Sequence, residues 1–308
     1  MINNPPSVAV ILCCYNSEKF LQEQIQSIDN QTWSNLTIWA SDDGSYDKTH
    51  ELLQHYQKSL KKQLIILEGP QKGYAANFIS SLGDSNIQAD YFAYADQDDI
   101  WEQDKLTRAI SKLSSVEKNI PAIYCSRTSL INENGQCIGL SPLFQKAPSF
   151  ANALVQNIGG GNTMVFNKAA RELLRAANKK SIVSHDWWTY ILVAGAGGSV
   201  FYDTYPSVQY RQHNNNLVGA NSSWLARLSR IFTLLKGGFR TWNTIHIQAL
   251  NEIKELLTPE NQQILKQFCN ARDNWLIPRL FGMWKCGVYR QTIAGNIGLI
   301  VATLLKKI

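Results

Sequence analysis

The sequence predicts an α/β protein with a mostly parallel β-sheet, helices on both of its faces, and a C-terminal helical region. In the first hundred residues, short apolar runs alternate with segments of helical periodicity. The first run, from Val8 to Cys14, is apolar at every position, which is typical of a strand buried on both faces of a parallel sheet. From about residue 221 the pattern is helical and basic.

The repeated order of strand, turn and helix supports an open sheet whose crossover helices cover both faces. The first helix follows Ser17, a possible N-cap, and carries Phe20, Leu21 and Ile25 on its apolar side. Strands are predicted at 8–14, 36–41, 64–67 and 91–95, and a helix follows each of the first three.

The second half of the chain is less regular. Residues 132–135 are a turn signal between hairpin strands, and a helix is predicted from His185 to Val193. Further strands are predicted at 123–131 (a pair with a bend), 199–202 and 207–210, and further helices at 150–155, 224–235 and 242–257. The apolar run at 297–305 is too short to span a bilayer, which takes about 20 residues.

Three carboxylates follow the fourth strand directly, at Asp96, Asp98 and Asp99. Residues i and i+2 of an extended segment face the same side, so Asp96 and Asp98 can point at one object. Mutual repulsion favours a cation between them, and oxygen ligands suit Mg²⁺ or Mn²⁺ carrying a phosphate-bearing ligand. The alternative is that Asp98 or Asp99 caps a helix starting near Trp101.

Polar residues also follow the earlier strands, at Asn16, Asp42 and Asp43. In open parallel sheets, ligands bind outside the carboxyl ends of the strands, so these side chains should meet at one edge. The sequence contains neither a G-x-G-x-x-G after the first strand nor a G-x-x-x-x-G-K-[ST]. Any nucleotide held at this edge is therefore held by other means.

Three further segments have both a functional and a structural interpretation. Gly159 to Gly161 permit close approach of a ligand or simply form an awkward turn. Asp186 is either a first-turn helix residue favoured by the dipole or a partly desolvated general base beside two tryptophans. Arg211 and His213, at a strand end, favour a clamp for phosphate and metal over a structural role.

Charge is unevenly distributed along the chain. Residues 221–308 contain six Lys, six Arg, one Asp and three Glu, a balance of +8, which leaves −2 for residues 1–220 out of the total of +6. Such a tail suits an anionic membrane face or nucleic acid, and it could also pack on the core or on a second subunit. The first residues carry no signal-peptide pattern and the six cysteines show no C-x-x-C pair, so we expect a reduced protein in the cytoplasm.

Taken together, these motifs resemble the inverting glycosyltransferases of family 2, which have the GT-A fold, and within them the rhamnosyltransferase-like members. The resemblance covers roughly residues 8–220. The matching segments are Cys14-Tyr15-Asn16, Asn30-Gln31-Thr32, Ser41 to Ser45, Gly73 with Asn77-Phe78, Ala95 to Trp101 with Lys105, His185-Asp186-Trp187 and Tyr210 to His213.

The resemblance implies a role for each matching residue. Asp186 would be the catalytic base, Asp98 and His213 metal ligands, and Asp96 a contact to ribose or metal. Arg211 would reach the diphosphate. The remaining donor contacts would be Tyr15, Asn16, Asp42, Asp43, Gly73 and Asn77, and the acceptor side would include Gly160, Gly161, Asn162 and Trp187.

We therefore expect two parts: a GT-A glycosyltransferase domain at 1–220, and a basic, mainly helical region at 221–308 for contact with a membrane surface or a second subunit. The expected activity is Mn²⁺- or Mg²⁺-assisted transfer of a sugar to a glycan or lipid-linked glycan of the cell surface. dTDP-rhamnose is the favoured donor and a UDP-sugar the alternative; nucleic acid is not an expected partner. A sugar-phosphate nucleotidyltransferase and a non-catalytic glycan-binding protein are the competing interpretations.

Overall fold

The computed structural model describes residues 5–177, 181–213 and 237–308. Its strands form one sheet in the order β3-β2-β1-β4-β8-β6-β9-β5, and β7 pairs with β6 outside this path. The strands are β1 (Val8–Cys14), β2 (Leu36–Asp42), β3 (Gln63–Glu68), β4 (Tyr91–Ala95), β5 (Ile100–Trp101), β6 (Ala122–Ile131), β7 (Cys137–Leu140), β8 (Val165–Asn167) and β9 (Ser199–Arg211).

Helices cover both faces of this sheet, as predicted. In the described ranges they are α1 (Leu21–Asp29), α2 (Thr49–Ser59), α3 (Tyr74–Gly83), α4 (Lys105–Leu113), α5 (Phe150–Ala153), α6 (Lys168–Ala176), α7 (His185–Gly195), α8 (Gly238–Glu252), α9 (Pro259–Asp273), α10 (Leu276–Lys285) and α11 (Ile293–Leu304). Short 3₁₀ turns occur at Gly161–Thr163 and Lys254–Leu256.

The half of the sheet formed by β3, β2, β1 and β4 is parallel throughout. Alternate residues of β1 belong to two separate hydrophobic cores: Ile11 packs with α3 and α7 on one face, and Leu12 packs with α1, α2 and α4 on the other. This double burial is the physical reason for the unbroken apolar run in the sequence.

The other half is mixed. β8 is antiparallel to β4 and to β6, whereas β9 is parallel to β6. The predicted hairpin at 132–135 joins β6 to β7. The strand pair predicted at 123–131 is one continuous strand, β6, and the strands predicted at 199–202 and 207–210 are both parts of β9. The predicted bend corresponds to a register shift between β6 and β9 near Arg127.

Two predicted helix starts were wrong. Trp101 ends the short strand β5, which pairs with β9, and α4 begins only at Lys105. Asp98 and Asp99 therefore cap no helix, and the N-cap position of α4 is Asp104. Similarly, α1 begins at Leu21 with no side-chain cap, and the Ser17 hydroxyl instead lies 3.3 Å from that of Thr49.

The C-terminal helices share one of the two cores with the sheet. Leu250 of α8 and Phe268 of α9 are fully buried in the same cluster as Ile191 of α7. The predicted helix at 242–257 corresponds to α8 and the 3₁₀ turn after it, and the run at 297–305 lies mostly in α11. The helix predicted at 224–235 lies outside the described residues.

Candidate active site

The carboxyl ends of β1, β2 and β4 bring the predicted polar residues to one edge. Cys14 pairs with Asp42, and Leu12 pairs with Ala95, so the segments after these strands emerge side by side. The Gln97 side chain joins two of them, accepting from the Tyr15 amide at 2.6 Å and donating to the Tyr15 carbonyl at 3.1 Å. The acidic segment is thus fixed against the end of β1.

The ends of β1 and β2 are joined by a small polar network. Asn16 has a positive φ of 49°; its amide donates to the Ser45 hydroxyl at 2.9 Å, and its Oδ1 accepts from the Tyr46 amide at 3.0 Å. Asp42 accepts from the same hydroxyl at 2.6 Å. The rings of Tyr15 and Tyr46 meet edge to face, 6.2 Å apart, and both are exposed. Sequence reasoning missed Tyr46; its only signal was an aromatic residue directly after a polar turn.

Asp43 and Asn77 lie behind this edge and hold it in shape. The Asp43 carboxylate accepts from the amides of Gln71 at 2.6 Å and Gly73 at 2.8 Å. Asn77 is buried and exchanges hydrogen bonds with Ser41 at the end of β2. This geometry gives both residues a supporting role, and their direct contact with a donor stays a prediction.

Gly73 begins α3 from a positive φ of 86°, a conformation that glycine adopts without strain. A Cβ here would meet nothing within 4 Å, so the backbone conformation is what favours glycine. Its amide is bonded to Asp43 and its surface is exposed beside the edge.

Asp98 and His213 form a close polar pair at the centre of the site. The Asp98 Oδ2 lies 2.6 Å from the His213 Nε2, and both side chains are largely buried. Asp96 is partly exposed beside them. Burial, together with the negative charges of Asp98 and Asp186, raises the pKa of Asp96 to about 7. Asp186 therefore lies near enough to Asp96 for its charge to contribute to this shift.

Asp99 points away from this cleft into the protein. Its carboxylate accepts from the Asn162 side-chain amide at 2.6 Å and from the Arg211 backbone amide at 3.1 Å. Burial, with the charges of Asp98 and Asp96, raises its pKa well above the usual range. Asp99 therefore connects β4 to β9 and to the 3₁₀ turn that contains Asn162.

Arg211 is buried and bonded on several sides. Its guanidinium donates to the Asp98 carbonyl at 2.9 Å, to the Glu133 carbonyl at 3.0 Å and to the Glu23 carboxylate at 2.5 Å, and it lies 4.6 Å above the Phe20 ring. A contact with a diphosphate would require these bonds to rearrange. In this structure Arg211 positions the backbone of Asp98.

Lys105 adds a buried cation beneath the acids. Its Nζ donates to the Asn162 carbonyl at 2.7 Å and lies 3.2 Å from the centre of the Trp101 ring. Burial lowers the pKa of Lys105 well below its usual range, although the carboxylates of Asp99 and Asp96 oppose this. The resemblance included Lys105, but no role was assigned to it.

Asp186 lies in the first turn of α7. One carboxylate oxygen accepts from the Asn157 side-chain amide at 2.9 Å, and the other accepts from the Trp187 backbone amide at 2.7 Å. The carboxylate remains partly exposed. A hydrogen-bonded, partly exposed carboxylate can accept a proton from a hydroxyl group that approaches its open side.

Trp187 faces away from Asp186 into the core. It is buried, its indole N–H donates to the Ala153 carbonyl at 2.7 Å, and its ring meets Trp242 and His246 of α8 edge to face. These contacts support packing of α8 on α7, so contact with an acceptor stays a prediction for Trp187.

His185 explains one of the three consecutive glycines. Its ring stacks on Phe78 with centroids 3.9 Å apart, and a Cβ at Gly161 would lie only 2.2 Å from the His185 Nε2. Glycine is required at 161 by this close approach to a side chain of the protein itself. Gly160 beside it is exposed, and Asn162 is held by Asp99 and Lys105. Sequence reasoning gave His185 no role.

The residues fit a divalent cation whose coordination is completed by oxygen atoms from a bound phosphate or from water. The carboxylate of Asp98, with that of Asp96 next to it, is an oxygen donor that suits Mn²⁺ and Mg²⁺, and the imidazole of His213 is a nitrogen donor beside it. Across the described ranges, no group of three or more Asp, Glu, His or Cys side chains is arranged around one possible metal position. A cation bound here would therefore take further oxygen ligands from phosphate or water.

Residues 9–174 match the model of the family described as Glycosyl transferase family 2. The dTDP-rhamnosyl transferase RfbG of Shigella flexneri is 31% identical over 230 residues, which cover 71% of this chain and 78% of that protein. The putative teichuronic acid biosynthesis glycosyltransferase TuaG of Bacillus subtilis is 23% identical over 226 residues, which cover 73% of this chain and 86% of TuaG.

Two solved structures share the fold. TarS residues 1–349 from S. aureus, crystallised with UDP-GlcNAc, gives a TM-score of 0.55 at 15% identity and covers 92% of this chain and 93% of that one. The mannosyltransferase PcManGT from Pyrobaculum calidifontis, in complex with GDP-Man and Mn²⁺, gives 0.52 at 16% identity and covers 99% and 86%. The predicted GT-A architecture is confirmed by this likeness.

Proposed function

The chain belongs to glycosyl transferase family 2 and is a glycosyltransferase, and we propose that it transfers rhamnose from dTDP-rhamnose, with inversion, to a hydroxyl group of a growing cell-surface polysaccharide. Membership of this family excludes the two competing interpretations, a sugar-phosphate nucleotidyltransferase and a non-catalytic glycan-binding protein. The observation that supports the proposal is the Asp98–His213 pair together with Asp96, whose pKa the nearby charge of Asp186 helps to raise.

The donor would bind across the ends of β1, β2 and β4. Exposed Tyr15 and Tyr46 offer ring faces to a nucleobase, and the partly exposed Asn16 and Asp42 offer polar groups beside them. Asp98 and His213, with Asp96, would hold Mn²⁺ or Mg²⁺ next to the diphosphate. Such a cation, when bound, offsets the charge that develops on the departing nucleoside diphosphate.

Asp186 would accept the proton of the attacking acceptor hydroxyl. Two hydrogen bonds, from Asn157 and from the Trp187 backbone, hold its carboxylate in one orientation. A carboxylate of ordinary basicity is sufficient when proton transfer accompanies the formation of the new bond, because the oxygen becomes acidic as it attacks. Attack from the side opposite the diphosphate gives inversion.

Rhamnose is favoured as the sugar because the name of RfbG assigns it dTDP-rhamnose and because the match covers most of both chains. A UDP-hexose is the second candidate, since a protein of the same fold was crystallised with UDP-GlcNAc. One pocket contact worth about 1–3 kcal/mol separates such donors.

We place the transfer chemistry in residues 1–220, at the cytoplasmic face of the membrane, where a lipid-linked glycan acceptor would be presented. Residues 221–308 would contact the membrane surface or a second subunit. The name of TuaG, which refers to teichuronic acid biosynthesis, supports a cell-surface polysaccharide as the acceptor class.

The proposal is tested by incubating the full chain with dTDP-rhamnose, UDP-glucose, UDP-GlcNAc and GDP-mannose, each with Mn²⁺, with Mg²⁺ and with EDTA. Release of nucleoside diphosphate is measured with and without a glycan acceptor. We expect dTDP release from dTDP-rhamnose that requires a divalent cation. Faster turnover of a UDP-sugar would replace rhamnose by the second candidate, and equal turnover in EDTA would refute the metal assignment.

A further inference from the structure

α10 and α11 each expose a row of apolar side chains, and we infer that the two rows together dock on the interface of an anionic membrane. The two helices pack against each other. The surface, called the α10–α11 face below, consists of Ile277, Phe281 and Trp284 on α10 and Ile293, Ile297, Ile300, Val301 and Leu304 on α11.

α11 is apolar on its exposed side as well as on its buried side. Leu299 and Ala302 are buried against the protein, whereas Ile293, Ile297 and Ile300 are 83%, 57% and 54% exposed. The exposed residues of α11 follow the spacing i, i+4, i+7, i+8 and i+11, which places them along one side of the helix. A surface helix normally turns a polar stripe outward, so an apolar outer stripe indicates a partner.

α10 continues this surface with aromatic residues. Ile277, Phe281 and Trp284 follow the spacing i, i+4 and i+7; Trp284 is 75% exposed, and the rings of Phe281 and Trp284 are 5.7 Å apart. Trp275, just before the helix, is also exposed. Tryptophan is enriched at membrane–water interfaces because its ring is apolar and its N–H remains hydrated.

Charge identifies the partner as an anionic surface. Residues 274–308 contain no Asp or Glu and five Lys and Arg, of which Arg279 is buried. Lys285 at the end of α10 and Lys306 after α11 are both exposed. An anionic leaflet attracts such residues, and long basic side chains can extend to its phosphate groups while their stems lie on apolar surface.

A second copy of the chain is a less suitable partner. A two-fold interface places the same patch on both sides, so the basic residues of one α10–α11 face would meet those of the other, with no acidic residue from 274–308 to compensate. The charge pattern therefore favours lipid over self-association.

The helices would lie on the membrane and not cross it. α11 has 12 residues, against about 20 for a transmembrane helix. In the described part of the chain, no helix is long and apolar enough to span a bilayer. An apolar outer stripe with basic residues nearby is the pattern of an interfacial helix.

The inference rests on the proposed function for its purpose, which is to bring a lipid-linked acceptor close to Asp186. The C-terminal region reaches the neighbourhood of Asp186 through α8, because Trp242 and His246 of α8 contact Trp187, the residue after Asp186. Membrane binding itself can be measured without any assumption about donor or metal.

Flotation of the full chain with vesicles tests the inference. The vesicles contain phosphatidylcholine alone or phosphatidylcholine mixed with phosphatidylglycerol. The variant Phe281→Ser/Trp284→Ser/Ile293→Ser/Ile297→Ser changes only exposed residues, so its fold should persist. The matched control is Ile138→Ser/Leu140→Ser, which removes exposed apolar side chains from β7.

We expect the wild-type chain and the β7 control to bind the anionic vesicles. The α10–α11 variant should bind these vesicles at least tenfold more weakly. The affinity of Lys285→Gln/Lys306→Gln for them should be several-fold lower than that of wild type. Equal binding by wild type and the α10–α11 variant, or no binding by wild type, would overturn the inference. If wild type does not bind vesicles but light scattering detects a dimer in wild type and not in the α10–α11 variant, the face is a subunit interface and the inference is overturned.

Nucleoside diphosphate release with a soluble acceptor separates this inference from the proposed function. The α10–α11 variant should retain wild-type turnover there, because its substitutions lie outside the strand-end site. If wild type binds vesicles and turns over no donor, the proposed function fails and the docking surface stands.

Discussion

The two halves of the candidate site differ in how their polar groups are satisfied. At the strand ends, the carboxylates of Asp43, Asp98 and Asp99 and the guanidinium of Arg211 are all bonded. Around α7, several buried polar atoms have no hydrogen-bonding partner in the part of the chain that the structure describes. They are both ring nitrogens of His185 and of His246, both amide atoms of Asn243, and Oδ1 of Asn157.

The strand ends, where we propose that the donor binds (the donor side), are therefore well bonded, whereas the region around α7, which we propose for the acceptor (the acceptor side), is less well satisfied. Bonds from the backbone pre-organise the donor side and hold its charges in place before any ligand arrives. A buried polar group without a partner costs about 1–3 kcal/mol, so the region around α7 lowers the stability of the fold. The comparison can be tested by substitutions on each side.

The largest expected effect is that of Asp186→Asn. Loss of the base should lower the rate of transfer by about 10²–10⁴-fold, while donor affinity stays unchanged. The fold should persist, because an asparagine oxygen can still accept from the Trp187 amide, and the unpaired Asn157 Oδ1 can turn to accept from the new side-chain amide. Initial rates and donor titration calorimetry measure both quantities. Turnover within threefold of wild type would remove Asp186 from the base role.

On the donor side, Asp98→Asn should weaken metal-dependent donor binding by about 10–100-fold, the range seen when groups supporting a metal site are lost. Asparagine can keep a hydrogen bond to His213, so the change removes charge more than structure. Asp104→Asn, an exposed carboxylate six positions later, is the matched control. Donor binding is titrated against Mn²⁺. The same Mn²⁺ dependence in both variants would exclude Asp98 as a ligand.

The acceptor side should make the fold sensitive to acid. Burial lowers the pKa of His185 and of His246 to about 4, against 6.5 for an exposed histidine. At these two histidines the unfolded chain therefore binds protons that the folded chain does not as pH falls from 6.5 to 4, so both lower the stability over that window. Asp96, whose pKa is raised to about 7 by burial and neighbouring negative charges, opposes part of this loss. Each histidine should remove about 2 kcal/mol between pH 7 and pH 5.

Urea unfolding at both pH values measures this loss. Between pH 7 and pH 5, His246→Phe should lose about 2 kcal/mol less stability than wild type, whereas His55→Gln, which changes an exposed histidine, should lose as much as wild type. If His246→Phe and wild type lost the same stability on acidification, His246 would have to be protonated in the folded protein.

The smallest effect expected is a gain in stability. Asn243→Leu removes two buried amide atoms without partners and keeps the volume of the side chain, so the free energy of unfolding should rise by about 1 kcal/mol. The control is Asn167→Leu, because Asn167 is also buried but bonds to Ala122, Ala170 and Ile120. Asn167→Leu should destabilise. Equal destabilisation by both substitutions would show that Asn243 has a partner.

Much of the donor side could be predicted from the sequence, because strand ends are marked by a change from apolar to polar residues. Asn16, Asp42, Asp96 and Asp98 each follow an apolar strand, and the structure brings these strand ends together at one edge. The short apolar runs also identified β1 to β4 within one or two residues at their ends.

What the sequence did not predict is the direction in which a side chain points after its strand or turn. Asp98 and Asp99 are neighbours in the sequence, yet Asp98 bonds to His213 whereas Asp99 is buried and bonds to Asn162. Arg211, expected at a diphosphate, is bonded to Glu23, and Trp187, expected at an acceptor, packs on α8. Each of these contacts joins residues far apart in the sequence, so spacing along the chain could not predict them.

The sequence by itself determined the parallel half of the sheet, the edge at which its polar residues gather, and the resemblance to the glycosyltransferase family. These depend on local patterns of apolar and polar residues. Only the tertiary structure decided which acid faces the cleft, why Gly161 must be glycine beside His185, and which side of α11 stays uncovered. The physical reason is that burial depends on what packs against a residue, and that partner lies elsewhere in the chain.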